Sequence, residues 1–147
     1  MPNYGAKVSS AYISSDAIRE FLAALPSVMR DIHGDRPLTV SYQWGCNLHN
    51  DLCFTPMCWP LDLFPDFLAD SIDQKIVKLG ESELLIESAD SNLKILVCHE
   101  SDIHLDGTDD EAIAKIMARF PQLDFRTAAD WKAALPREEN SSPQAPG

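Results

Sequence analysis

Long hydrophobic runs are missing from this sequence: no apolar stretch approaches the ~18 residues that a membrane-crossing helix needs. The opening MPNYGAKVSSAYISSD carries neither the basic patch nor the greasy segment of a signal peptide. A cytoplasmic protein with no membrane partner is the expectation. Glycine is scarce, with six in 147 residues, and no glycine-rich phosphate loop, Walker lysine or dinucleotide fingerprint occurs. A nucleotide-binding fold is therefore not expected. The four cysteines, Cys46, Cys53, Cys58 and Cys98, are expected as reduced thiols and not as a disulfide framework. Basic residues are short as well: 12 Lys and Arg stand against 23 Asp and Glu, a net charge of −11. Such a chain is repelled by nucleic acid and by anionic membrane, so its natural partners are basic proteins.

What is present is an ordinary globular composition, 45% hydrophobic and 24% charged, enough for one core and too short for two usual domains. A single domain over residues 1–135 is expected, followed by a disordered tail over 136–147 (PREENSSPQAPG). The acids are unevenly placed. Residues 81–111 hold Glu81, Glu83, Glu87, Asp90, Glu100, Asp102, Asp106, Asp109, Asp110 and Glu111 against Lys94 alone, ten negatives and one positive, which is −9 of the −11.

Periodicity sets the fold class. Ile18, Phe21, Leu22, Leu25, Val28, Met29 and Ile32 fall at helical spacing, with Ser15 or Asp16 as cap and Gly34 as stop. This predicts an N-terminal amphipathic helix, kinked or split at Pro26. PLTVSYQW (37–44) reads as a strand, and residues 61–72 as a short helix starting near Pro60 or Pro65. The runs KIVKLG, ELLIES and LKILVCH predict an antiparallel meander near residues 75–99, with Leu84 and Ile86 on one face and Glu83, Leu85 and Glu87 on the other. A helix over 109–120, an edge strand at 123–126 and a short helix capped by Thr127 complete the pattern. The expected architecture is α+β, an antiparallel sheet of about four or five strands with helices on one face.

The stretch ILVCHESDIHLDGTD (95–109) offers three chemistries. It resembles the first motif of metallophosphoesterases, which would make Asp102 and His104 metal ligands. A two-metal centre needs several later ligands, and no histidine follows His104. As a calcium loop, Asp102, His104, Asp106, Gly107, Thr108 and Asp110 match EF-hand positions, but the bidentate Glu is replaced by Ile113. As a strand-to-helix corner, Thr108 and Glu111 form a capping box, with Asp109 and Asp110 in the first turn. That reading leaves Glu100, Asp102, His104 and Asp106 without an assigned role. Upstream, Cys46, His49, Cys53 and Cys58 make four zinc-type ligands that resemble a zinc knuckle in size, with different order and spacing. Cys98 and His99, adjacent on a strand, are expected on opposite faces and so not as a nucleophile–base pair.

No catalytic residue, bound metal or cofactor is therefore expected. In size, acidity, α+β order and lack of catalytic motifs the chain resembles bacterial immunity proteins that neutralise a toxin. The resemblance implies a non-catalytic inhibitor that occludes the toxin's basic active site, with Glu83, Glu87, Asp102 and Asp106 as substrate-mimicking carboxylates. Glu100, His104 and an exposed Trp59 are expected to join that partner-binding surface. Two other readings stand beside it. One is a small metal-dependent enzyme or metal sensor using Asp102 and His104 or the Cys46–Cys58 cluster. The other is a secretion chaperone.

Overall fold

Ser14 starts the first helix by accepting a hydrogen bond from the Ala17 amide, and Gly34 ends it at φ 74 with its own amide donating to the Arg30 carbonyl. The helix, α1 (Ser15–His33), runs as one element through Pro26. Its predicted stripe is the buried face, and Phe21 packs on Phe120 with ring centroids 4.8 Å apart. The computed structural model describes residues 7–48 and 52–135. The tail over 136–147 and His49 of the zinc-type cluster lie outside the described residues.

Among the described residues the remaining elements are β1 (Val8–Ser9), β2 (Leu38–Tyr42), β3 (Met57–Trp59), α2 (Phe64–Asp73), β4 (Leu84–Glu87), β5 (Leu93–Val97) and β6 (Ile103–Gly107). Helix α3 (Asp110–Arg119), a 3-10 turn over Pro121–Leu123, β7 (Arg126–Thr127) and α4 (Ala128–Ala133) follow. All strand pairs are antiparallel, in the order β3-β2-β4-β5-β6-β1-β7. The α+β class with an antiparallel sheet holds. The expectation of four or five strands is corrected to seven, because β1, β3 and β7 are two or three residues long and carry no periodicity of their own.

The meander is displaced by one run from its predicted place near 75–99. KIVKLG is not a strand: Lys75 is left-handed (φ 60), and Lys78 to Ser82 close a tight turn through Glu81 and Ser82 amides on the Lys78 carbonyl. Of its apolar members, Val77 and Leu79 are buried all the same and Ile76 is half-buried. The third strand of the meander is IHLDG, paired residue for residue with β5. The corner thus comes after Gly107, and Asp109, not Thr108, caps α3 by accepting from the Ala112 amide. Asp109 also reaches His33 Nε2 at 3.0 Å, which fastens the end of α1 to the start of α3.

Strand alternation builds two chemically distinct faces. One row across the sheet is Val40, Ile86, Ile95, Leu105 and Val8, all buried; Tyr42, Leu84, Val97 and Ile103 make the next. The apolar stripes of α1, α2 and α3 join these rows in one core. The opposite face shows Glu83, Leu85 and Glu87 on β4 and its lead-in, Lys94 and Leu96 on β5, and His104 and Asp106 on β6.

Gly107 makes the β6–α3 corner possible. At φ 109 it lets the Thr108 and Asp109 amides both donate to the Asn92 carbonyl, at 2.8 and 3.0 Å, and a Cβ on Gly107 would collide with that same oxygen. Gly107→Ala should therefore lower unfolding stability by about 3 kcal/mol, and Gly34→Ala by only about 1 kcal/mol, since nothing lies within 4 Å of a Cβ there. Urea denaturation of the two variants beside the wild type checks the difference.

Candidate functional site

The outer face of the β4-β5-β6 meander is organised by register. Leu85, Leu96 and His104 are cross-strand neighbours, and one row along lie Glu87, Lys94 and Asp106. Just past the end of β5, the Cys98 amide donates to the Asp102 carbonyl, which brings Cys98 and Asp102 side by side on the same face. The result is a pocket of about 330 Å³, floored by Leu85, Leu96 and Cys98 and walled by the carboxylates of Glu83, Glu100 and Asp106, with Lys94, His99 and His104.

Cys98 sits between two carboxylate–histidine pairs. On one side Glu83 Oε2 lies 2.5 Å from His99 Nδ1 and 3.7 Å from Cys98 Sγ. On the other, Asp102 Oδ2 lies 3.0 Å from His104 Nε2. Asp102 is 0% exposed, and its second oxygen, Oδ1, is buried with no hydrogen-bond partner among the described residues. His99 Nδ1 is 3.8 Å from Cys98 Sγ, so the two residues share a face. The expectation of opposite faces fails because β5 ends at Val97, and strand alternation stops with it.

Burial, followed by the negative charges of Asp102 and Glu83, holds the Cys98 thiol up at about 12. Activation of a cysteine nucleophile requires the reverse. The Cys46 thiol, also pushed up chiefly by burial, stands at about 11. Tyr12, exposed at the same end of the sheet, is shifted upward first by its partial burial and then by Glu100 and Asp102.

The structure brings Glu83, Glu87, Glu100, His104 and Asp106 onto the one face, with His104 buried against Asp102 and the four carboxylates partly exposed. Two expectations are corrected. Asp102 is buried against Cys98 and His104 and cannot present its carboxylate to a partner. Trp59 is not an exposed anchor: it sits in the inner row opposite Leu38 and stacks on Phe67, centroids 4.6 Å apart. The exposed tryptophan is Trp44, 59% accessible, with its ring 4.6 Å from that of His99. The alternation of Leu85 with Glu83 and Glu87 already marked the apolar floor, whereas nothing local distinguishes Trp44 from Trp59. Of the upstream cysteines, Cys46 donates to the Glu83 carbonyl at 3.3 Å, and Cys58 is exposed on β3. No helix among the described residues is long and apolar enough to cross a membrane.

No protein-family model, curated protein or solved structure matches the chain.

The thiols report on this geometry. Thiol labelling of the native protein at neutral pH should modify Cys58 quickly and Cys46 and Cys98 slowly, with protection of Cys46 giving way before that of Cys98 as pH rises. Because the half-buried Cys46 thiol and the buried Cys98 thiol are both raised above the ordinary 9.0, their contribution to folding is fully present below pH 9 and is lost as pH climbs through about 11 and then about 12. Mass mapping of the labelled cysteines across an alkaline series checks the order.

Proposed function

We propose that the chain is a non-catalytic binding protein that receives a cationic segment of a basic protein partner on the outer face of the meander. The immunity-type inhibitor of the sequence reading belongs to this class. The observation that carries the reading is the make-up of the pocket: Glu83, Glu100 and Asp106 surround an apolar floor of Leu85 and Leu96. That combination suits a lysine or arginine side chain, whose aliphatic stem covers apolar surface while its charged head meets carboxylates. Trp44, exposed beside His99, supplies a flat aromatic surface at the rim of the kind that stacks on guanidinium groups.

The charge pattern supports the same reading through kinetics. Glu83, Glu87, Glu100 and Asp106 against Lys94, on a chain of net charge −11, draw a basic partner in faster than diffusion alone and orient it. A toxin encoded beside this chain, with a basic C-terminal domain, is the partner this reading expects. Occlusion of that partner's polyanion-binding cleft would then be the inhibitory act, with Glu83, Glu87, Glu100 and Asp106 taking the place of substrate phosphates.

Glu87 and Asp106 flank Lys94 in one cross-strand row and are partly exposed, so both can be reversed without opening the core. Isotope-labelled protein titrated with an oligolysine peptide should show amide shifts confined to residues 83–87, 94–100 and 104–106 and the Trp44 indole. Glu87→Lys with Asp106→Lys should slow association about tenfold and flatten its salt dependence. Shifts spread evenly over acidic surface elsewhere, such as Asp62, Asp66 and Asp70, or association unchanged in the double variant, would refute the assignment.

A further inference from the structure

We propose that Cys98, Asp102 and His104 form a binding site for one divalent transition-metal ion of zinc's borderline softness, reached from the acidic pocket. The three side chains offer a sulfur, a carboxylate oxygen and an imidazole nitrogen, and these atoms all lie within 4.8 Å of one another. Tetrahedral zinc with such ligands sets them roughly 3.3–3.8 Å apart, so modest side-chain rotation closes the site. One edge already has nearly that length, the 3.0 Å between Asp102 Oδ2 and His104 Nε2.

An independent observation points to an absent partner. Asp102 Oδ1 is buried and has no hydrogen-bond partner of standard geometry among the described residues, in a residue with no exposure at all, and the group beside the carboxylate is the Cys98 thiol. An unpaired carboxylate oxygen in such a place costs several kcal/mol unless a cation or donor satisfies it. The neighbouring groups available to it are a thiol and an imidazole, both metal ligands, and among the described residues no arginine or lysine pairs with Asp102. Sulfur with nitrogen selects zinc-like ions over magnesium or calcium, which prefer oxygen alone.

The arrangement also shows why the ion belongs on this side of Cys98. The opposite group, Glu83 with His99, is likewise a bonded pair but the more exposed one, its side chains 18% and 38% accessible against 0% and 7% for Asp102 and His104. Cys98 and His104 both line the pocket while Asp102 closes the site from behind, so a fourth coordination position faces the pocket and the Glu83–His99 pair. This site shares no residue with the Cys46, His49, Cys53, Cys58 cluster of the sequence reading. It does not depend on the docking proposal, since Glu87 and Asp106 are not among its ligands.

The test uses the full chain, stripped with a chelator and titrated with cobalt and zinc. Expected is one equivalent bound, with a near-ultraviolet thiolate-to-cobalt charge-transfer band. Cys98→Ser should abolish the band. Asp102→Asn and His104→Ala should each weaken zinc by more than the roughly 10- to 100-fold that loss of an outer-shell partner costs. A Cys46→Ser, Cys53→Ser, Cys58→Ser triple variant should keep the band, as should Glu87→Lys with Asp106→Lys. Circular dichroism establishes that each variant is folded. Cys98→Ser and Asp102→Asn preserve shape, and if either unfolds, protection of Cys98 from alkylation by one equivalent of zinc in the wild type is the deciding measurement. Absence of stoichiometric binding by the folded wild type would overturn the proposal and leave a buried water as the partner of Asp102. A band that survives Cys98→Ser, or disappears in the triple variant, would also overturn it.

Discussion

Antiparallel register in the meander is the constraint on which the rest of the molecule depends. Side chains alternate along each strand, so the pairing that aligns Ile86, Ile95 and Leu105 on the core side also aligns Leu85, Leu96 and His104 on the other. A slip of one residue would turn the apolar rows to solvent and drive Glu83, Glu87 and Lys94 into the core. Burial of Leu84, Ile86, Leu93, Ile95, Val97, Ile103 and Leu105 at no more than 1% exposure opposes that slip strongly. The polar face is in this sense a consequence of the apolar one.

Two ties hold the ends of this unit. The Asn92 carbonyl gathers the amides after Gly107, and Asp109 joins the start of α3 to the end of α1 through His33. At the far edge, the Trp131 indole donates to the Ser9 carbonyl at 2.9 Å, with Arg126 4.7 Å above its ring, so the short helix α4 secures strands too short to be stable alone. The outer face is consequently a rigid platform, the condition under which charge placed on it can orient a partner or hold an ion. The two proposed chemistries use different depths of that face: the carboxylates of Glu83, Glu87, Glu100 and Asp106 are partly exposed, while the thiol of Cys98, the carboxylate of Asp102 and the imidazole of His104 are buried.

The long periodic elements were legible without coordinates. Seven apolar positions mark α1, and the Leu84 and Ile86 alternation marks β4, because a helix or strand of that length writes its buried face into the local order of residues. SDIHLDG was ambiguous. Its Gly107-Thr108-Asp109-Asp110-Glu111 sequence supports a helix start at either of two caps, and only the Asn92 carbonyl, fifteen residues earlier, selects the later one. KIVKLG failed in the opposite direction: it has strand-like residues, yet Val77 and Leu79 are buried from a turn.

The sequence by itself determined the fold class, the amphipathic helix and the concentration of negative charge between residues 81 and 111, since these are properties of composition and of neighbours along the chain. Only the tertiary structure decided which acids are exposed and which tryptophan is accessible. Asp102 and Asp106 are four residues apart on one strand face, yet one is sealed beside Cys98 and the other opens on the pocket. Trp44 and Trp59 are separated in the same way, by which face of the sheet each meets and whether a helix covers it. Exposure depends on contacts between residues distant in sequence, and these are set by packing, which no local pattern encodes.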